Sequence, residues 1–117
     1  MNHLELGKYG ETLAKKHLES LGYEILTCNY RFLKLELDIV AQKDGKLIVV
    51  EVKTRFTDEY GEPWQSVTKH KQRQIIKAAN HYIFQHDIQT DTQFDVISII
   101  KNDTFERLEH IKDAFTP

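Results

Sequence analysis

Asp38, Glu51 and Lys53 are charged residues set in runs that are otherwise apolar. From Leu47 to Lys53 an extended chain would put Ile48, Val50 and Val52 on one face and Leu47, Val49, Glu51 and Lys53 on the other. Both faces begin apolar, which predicts a central strand. In such a place a carboxylate and an ammonium cost several kcal/mol unless they are paired or hold an ion. Asp44-Gly45 is a tight-turn signal, and a hairpin folded there sets Asp38 across from Glu51. Two facing carboxylates repel, and a hard divalent cation such as Mg²⁺ relieves them through carboxylate and carbonyl oxygens. An ion held this way polarises a phosphoryl oxygen and acidifies a water, with Lys53 one pleat repeat from Glu51 to face the same phosphate. The chemistry that suits these residues is phosphodiester hydrolysis. Glu11, one turn after Gly7 and beside Gly10, supplies a third carboxylate if its helix packs over the end of the hairpin. The triplet of acid, any residue and lysine is weak alone, since Asp44-Gly45-Lys46 repeats it in a turn; the apolar strand and Asp38 opposite make the difference.

Several elements must position these groups. Leu6, Tyr9, Leu13, Leu18 and Leu21 recur at helical spacing from about His3 to Leu21, and Gly22 stops the pattern. Tyr23–Tyr30 and Leu35–Gln42 read as strands, the latter pairing antiparallel with Lys46–Lys53. Alternation groups Glu36, Asp38 and Val40 on one face of the middle strand, so Glu36 is either a supporting acid beside Asp38 or a residue of the surface rim. A polar loop with Gly61 and Pro63 precedes a second helix, capped by Ser66 or Thr68, with Ile75, Ile76, Ala79, Tyr82 and Ile83 on one side. Phe94–Ile100 is a further strand, and Phe105–Phe115 fits either a helix or a short strand and turn. The order is αβββαβ plus a tail.

The totals bound the rest. A chain of 117 residues, 40% hydrophobic and 29% charged, has material for one domain over 1–117 and is not disordered in the main. No apolar run approaches the roughly 20 residues of a membrane span, no secretory signal opens the chain, and the lone Cys28 reads as a small, partly buried thiol. A cytoplasmic location without membrane association is expected. The net charge of −2 argues against a surface that clings to polyanions throughout. Yet residues 31–84 carry ten basic and seven acidic groups while residues 85–117 carry three and seven, so the middle is basic and the tail acidic.

Gly10-Glu11-x-x-Ala14, Gly22-Tyr23-x-Ile25-Leu26, Asn29-Tyr30-Arg31, Glu36-Leu37-Asp38-Ile39-Val40-Ala41, Val49-Val50-Glu51-Val52-Lys53-Thr54-Arg55, Val67-Thr68-x-x-Lys71 and Phe94-Asp95-Val96 together resemble the bacterial YraN-like family. That family is similar to the PD-(D/E)XK nuclease superfamily and, within it, to archaeal Holliday-junction resolvases. The resemblance covers nearly the whole chain. It implies an α/β, restriction-endonuclease-like αβββαβ core, a mixed sheet flanked by helices. It also implies metal acids at Glu11, Asp38 and Glu51 and a catalytic lysine at Lys53, the residues that spacing selects. Two departures stand out: Leu37 rather than proline precedes Asp38, and Phe32-Leu33-Lys34-Leu35 is bulkier than the small turn common in the family.

The expected function is therefore Mg²⁺- or Mn²⁺-dependent endonucleolytic cleavage of DNA, selective for branched or other non-duplex structures because no base-reading motif is present. The alternatives are a nucleic-acid-binding module that keeps the fold without cutting, and a protein-interaction domain, to which the acidic tail lends support. Symmetric cutting of two strands would call for a two-fold homodimer. Arg55, Lys69, Lys71, Gln72 and Arg73 are the candidate nucleic-acid contacts, with Lys69, Arg73 and Lys77 recurring on one helix face. Thr54 is placed to meet a phosphate, and Tyr60 and Trp64 to stack on unpaired bases or simply to anchor their loop. The six histidines show no spacing suited to zinc.

Overall fold

The computed structural model covers residues 1–117 and contains one five-stranded sheet with a long helix on each face. In chain order the elements are α1 (His3–Ser20), β1 (Glu24–Phe32), β2 (Leu35–Lys43), β3 (Lys46–Arg55), a 3-10 helix (Pro63–Ser66), α2 (Lys69–Gln85), β4 (Thr92–Lys101) and β5 (Glu106–Phe115). The strands lie side by side in the order β1-β2-β3-β4-β5. Only β3 and β4 run parallel, because α2 carries the chain back between them; the other neighbours are antiparallel. This is the α/β, restriction-endonuclease-like αβββαβ core with one added strand. The tail Phe105–Phe115 is neither a helix nor a short strand with a turn: β5 runs ten residues along β4. Its apolar residues recur at helical spacing, yet β5 splits them between two faces, Leu108 against the α1-side core and Ile111 and Phe115 in the α2-side core, as pairing along the open edge of β4 requires.

Local signals start and stop the elements. Asn2 caps α1 reciprocally, its Oδ1 accepting from Glu5 N at 2.8 Å while Glu5 Oε1 accepts from Asn2 N at 3.1 Å. Thr68, rather than Ser66, caps α2 by accepting from Lys71 N at 3.2 Å. Asp44 (φ 50°) and Gly45 (φ 75°) supply the two left-handed residues of the tight turn between β2 and β3.

Both faces of the sheet are covered, which is why β3 is apolar on each side. Ala14 and Leu18 of α1 pack on Ile39, Ala41, Ile48, Val50, Val52 and Ile97. Ile75, Ala78, Ala79 and Tyr82 of α2 pack on Val40, Leu47, Val49, Phe94 and Val96. No helix is long and apolar enough to cross a membrane.

Candidate metal centre

Gly10 sits inside α1, where a glycine costs about 1 kcal/mol relative to alanine. The reason lies on the next layer: a Cβ at this position would come within 1.8 Å of Thr54 Oγ1 on β3. The bare backbone lets α1 lie directly on the end of β3, and that contact brings the adjacent Glu11 over the sheet.

The antiparallel register of β2 and β3 runs from Lys43 opposite Lys46 to Ile39 opposite Val50, as the turn predicts, and there it stops. Asp38 and Glu51, the next residues in that register, stand where the strands part. Instead of continuing the ladder, the Asp38 carboxylate accepts a hydrogen bond from Val52 N at 2.8 Å. The pleat of β2 is also interrupted here. Leu37 belongs to the α2-side core and Ile39 to the α1-side core, although strict alternation would put both on one face. Asn29, between the pairs Cys28–Ile39 and Tyr30–Leu37 on β1, has a left-handed backbone with φ 55°. This local twist corrects the expected grouping of Glu36, Asp38 and Val40: Val40 packs beneath α2, whereas Glu36 and Asp38 gather with Glu11 of α1.

Carboxylate oxygens of Glu11, Glu36 and Asp38 lie within 4.8 Å of one another, all three residues half-buried. Burial pushes the Glu11 carboxyl above its ordinary range, and the charges of Asp38 and then Glu36 add to the effect. Glu36 also forms an ion pair with Arg31 at 3.3 Å; of its two expected roles, supporting acid or rim residue, the structure favours the first by bringing it among the acids. Its signal was the Glu-x-Asp spacing, which rightly sets it with Asp38, although straight alternation carried both to the side of Val40. Glu51, only 5% exposed, is on the other side of Asp38. Burial raises its pKa to about 9, reinforced by a hydrogen bond and charge repulsion from Asp38 and opposed by Lys71 and Lys53. One oxygen of Glu51 is buried without any hydrogen-bond partner, as is Thr54 Oγ1. An orphaned carboxylate oxygen beside further carboxylates is a donor set that fits a hard divalent cation.

The remaining candidates divide. Lys53 is half-buried next to Glu51, and Lys71 at the start of α2 reaches the same carboxyl electrostatically. Gln72 lines a cleft of about 380 Å³ on the α2 side. Arg55 lines a different cleft, and its guanidinium donates to Thr54 O. Lys69, Arg73 and Lys77 are exposed on α2, and Tyr60 is 95% exposed. Cys28 is exposed rather than partly buried, because β1 is an edge strand; it opens onto the cleft that holds Glu11 and Asp38. The turn Leu33-Lys34 projects outward, with Leu33 at φ 58° and 75% exposed.

A buried cluster away from these acids also escaped the sequence reading. Asp95 accepts from His110 Nε2 at 2.8 Å, from Asp113 N at 3.0 Å and from Gln93 Nε2 at 3.0 Å, and His110 Nδ1 lies 3.1 Å from His17 Nε2. These bonds tie α1, β4 and β5 together.

Comparison with known proteins places this chain among relatives. The model of the uncharacterised protein family UPF0102 matches residues 10–99, from the glycine that seats α1 to the end region of β4. A UPF0102 protein of Christiangramia forsetii is 47% identical over 113 residues, covering 97% of this chain and 95% of the relative. One of Clostridium beijerinckii is 45% identical over 114 residues, covering 95% and 93%. One of Flavobacterium psychrophilum is 41% identical over 113 residues, covering 97% and 95%.

Proposed function

We propose that this chain, which belongs to the uncharacterised protein family UPF0102 as its motifs implied, hydrolyses phosphodiester bonds of DNA with the help of a divalent metal ion. The observation that carries this reading is Glu51: a buried carboxylate with an orphaned oxygen, beside Asp38 at the parting of two strands and flanked by Lys53 and Lys71. A fold that needed only stability would replace such a group with an apolar one.

Asp38 and Glu51, with Glu11 and the neighbouring Glu36, would hold the ion. The chemistry that a bound Mg²⁺ or Mn²⁺ supplies there is charge against a phosphoryl oxygen and a more acidic water. Lys53 would orient the attacking water and balance the charge that grows on the phosphate as the P–O ester bond breaks. Lys71 would neutralise the approaching phosphate from the helix side, while the backbone bond from Val52 keeps Asp38 in position. Arg55, Lys69 and Arg73 would meet flanking phosphates. Selectivity would rest on the shape of the DNA, with branched or partly single-stranded forms as substrates.

The test is cleavage of labelled branched, single-stranded and duplex DNA in Mg²⁺ or Mn²⁺ by wild type, Asp38→Asn and Glu51→Gln, with binding read in parallel. Cutting by wild type alone, with binding kept in both variants, is expected. DNA binding without cleavage in any of the three would mean a non-cutting module. Cutting that survives both substitutions would exclude these acids as the centre.

A further inference from the structure

Glu51, Val96 and Ile111 form a row across the sheet, since β3 pairs Glu51 with Val96 and β5 sets Ile111 opposite Val96. Neighbouring strands lie about 4.8 Å apart, so the 380 Å³ cleft on the α2 side, lined by Val96 and Ile111, begins one strand away from Glu51. Val96 and Ile111 line it on the sheet side, Trp64 and Val67 come from the segment before α2, and Phe115 closes the end of β5. The indole of Trp64 is accessible, with the residue 41% exposed, while its backbone is anchored by the bond from Trp64 N to the buried Ser98 Oγ at 3.1 Å.

We propose that this cleft receives the unpaired nucleobase next to the phosphate at Glu51, with its ring stacked on Trp64. The inference rests on the phosphodiesterase reading and names the part of the substrate that the reading leaves open. No lysine or arginine lines the cleft, so it does not suit a phosphate. Its polar groups are the amides of Gln65 and Gln72 and the carboxylate of Glu109; Gln65 Oε1 already accepts from Glu62 N at 2.6 Å, which leaves the Gln65 N–H groups, the Gln72 oxygen and Glu109 to match the donor and acceptor edge of a base. Gln72 Nε2 is held by the Val67 carbonyl at 3.1 Å, which turns the amide oxygen toward other donors. The cleft is large enough for one planar ring system. A paired base is covered on both faces within the duplex, so only a single-stranded or extruded base has a free face for the indole. The cleft would thus make an unpaired nucleotide a requirement for productive binding.

Trp64 is the only tryptophan in the chain, so its emission reports the cleft directly. A short oligothymidylate and a base-free oligonucleotide of equal length serve as probes in EDTA and low salt, with affinity read from the anisotropy of an attached dye. Oligothymidylate is expected to quench Trp64 and the base-free strand to leave it unchanged. Trp64→Ala should weaken oligothymidylate binding by roughly 5- to 150-fold without altering the affinity for the base-free strand, and Trp64→Phe should restore the preference. Equal binding of both probes by wild type without quenching, or an equal loss of both in Trp64→Ala, would overturn the assignment. Cleavage assayed separately in Mg²⁺ keeps the two readings apart. Base-dependent quenching without cleavage supports the cleft and removes the nuclease; cleavage without base dependence does the reverse.

Discussion

Replacing Glu51 with glutamine should stabilise the metal-free protein at neutral pH while abolishing its chemistry. The native carboxyl has a pKa of about 9 against an ordinary 4.5, because burial and Asp38 disfavour its charge. Between those values the native state keeps a proton that the unfolded chain has released, so stability falls as pH rises, by about 1.4 kcal/mol per unit for one proton. At pH 7.5 the chain is three units above the ordinary value, and the accumulated penalty is about 4 kcal/mol. Glutamine has no proton to lose and can still donate to Asp38. Because the structure relaxes around the charged carboxylate and recovers part of the penalty, the expected gain over wild type is about 2 to 4 kcal/mol at pH 7.5, shrinking toward zero near pH 4.5. Urea unfolding of both proteins in EDTA across this range isolates the difference, since all other titrating groups are common to both. Excess Mn²⁺ should then close the gap, adding about 2.7 kcal/mol to wild type at a hundred times its dissociation constant and less to the variant. A stability difference that is flat with pH, or a glutamine variant less stable than wild type at pH 7.5, would refute the reasoning.

Other outcomes follow from the same geometry. Gly10→Ala drives a methyl into Thr54 and should cost about 1 to 3 kcal/mol and weaken Mn²⁺ binding by displacing Glu11; adding Thr54→Ala should recover part of both losses in melting and metal titrations. Lys53→Met should leave Mn²⁺ binding intact and lower the cleavage rate by about two to four orders of magnitude, so an unchanged rate would remove Lys53 from the reaction. Burial, His110 and Lys112 hold the His17 pKa below 6.5, so the unfolded chain takes up a proton there first and stability is lost as pH falls through 6.5 toward the native value. His17→Gln should therefore lose less stability than wild type between pH 7 and pH 5. Asp95 lies below its ordinary 3.8 despite burial, because His110, the Asp113 backbone and Gln93 hydrogen-bond its charged form. Its contribution is present above that value and is lost as pH falls below it, so Asp95→Asn should flatten the unfolding transition in acid.

Much of this protein was legible before it folded because the signals were local. The Asp44-Gly45 turn determined the register of β2 against β3, and through it the meeting of Asp38 and Glu51. The apolar run before Glu51 marked a central strand, the periodic leucines and Gly22 bounded α1 to within a residue or two, and Thr68 was one of the two caps that could start α2. What alternation could not reveal was the break in the pleat at Asp38, which depends on a left-handed Asn29 in the neighbouring strand. That break parted Glu36 and Asp38 from Val40, and the seating of Gly10 on Thr54 brought Glu11 to meet them. Likewise, β5 is a strand because β4 offers an open edge, and the cleft beside Glu51 exists because Trp64, Val96 and Ile111 arrive there from separate segments. Side-chain chemistry, turn type and hydrophobic period are properties of a few adjacent residues and can be read along the chain. Burial, orphaned oxygens and facing charges arise only between elements distant in sequence, so the tertiary structure alone decided them.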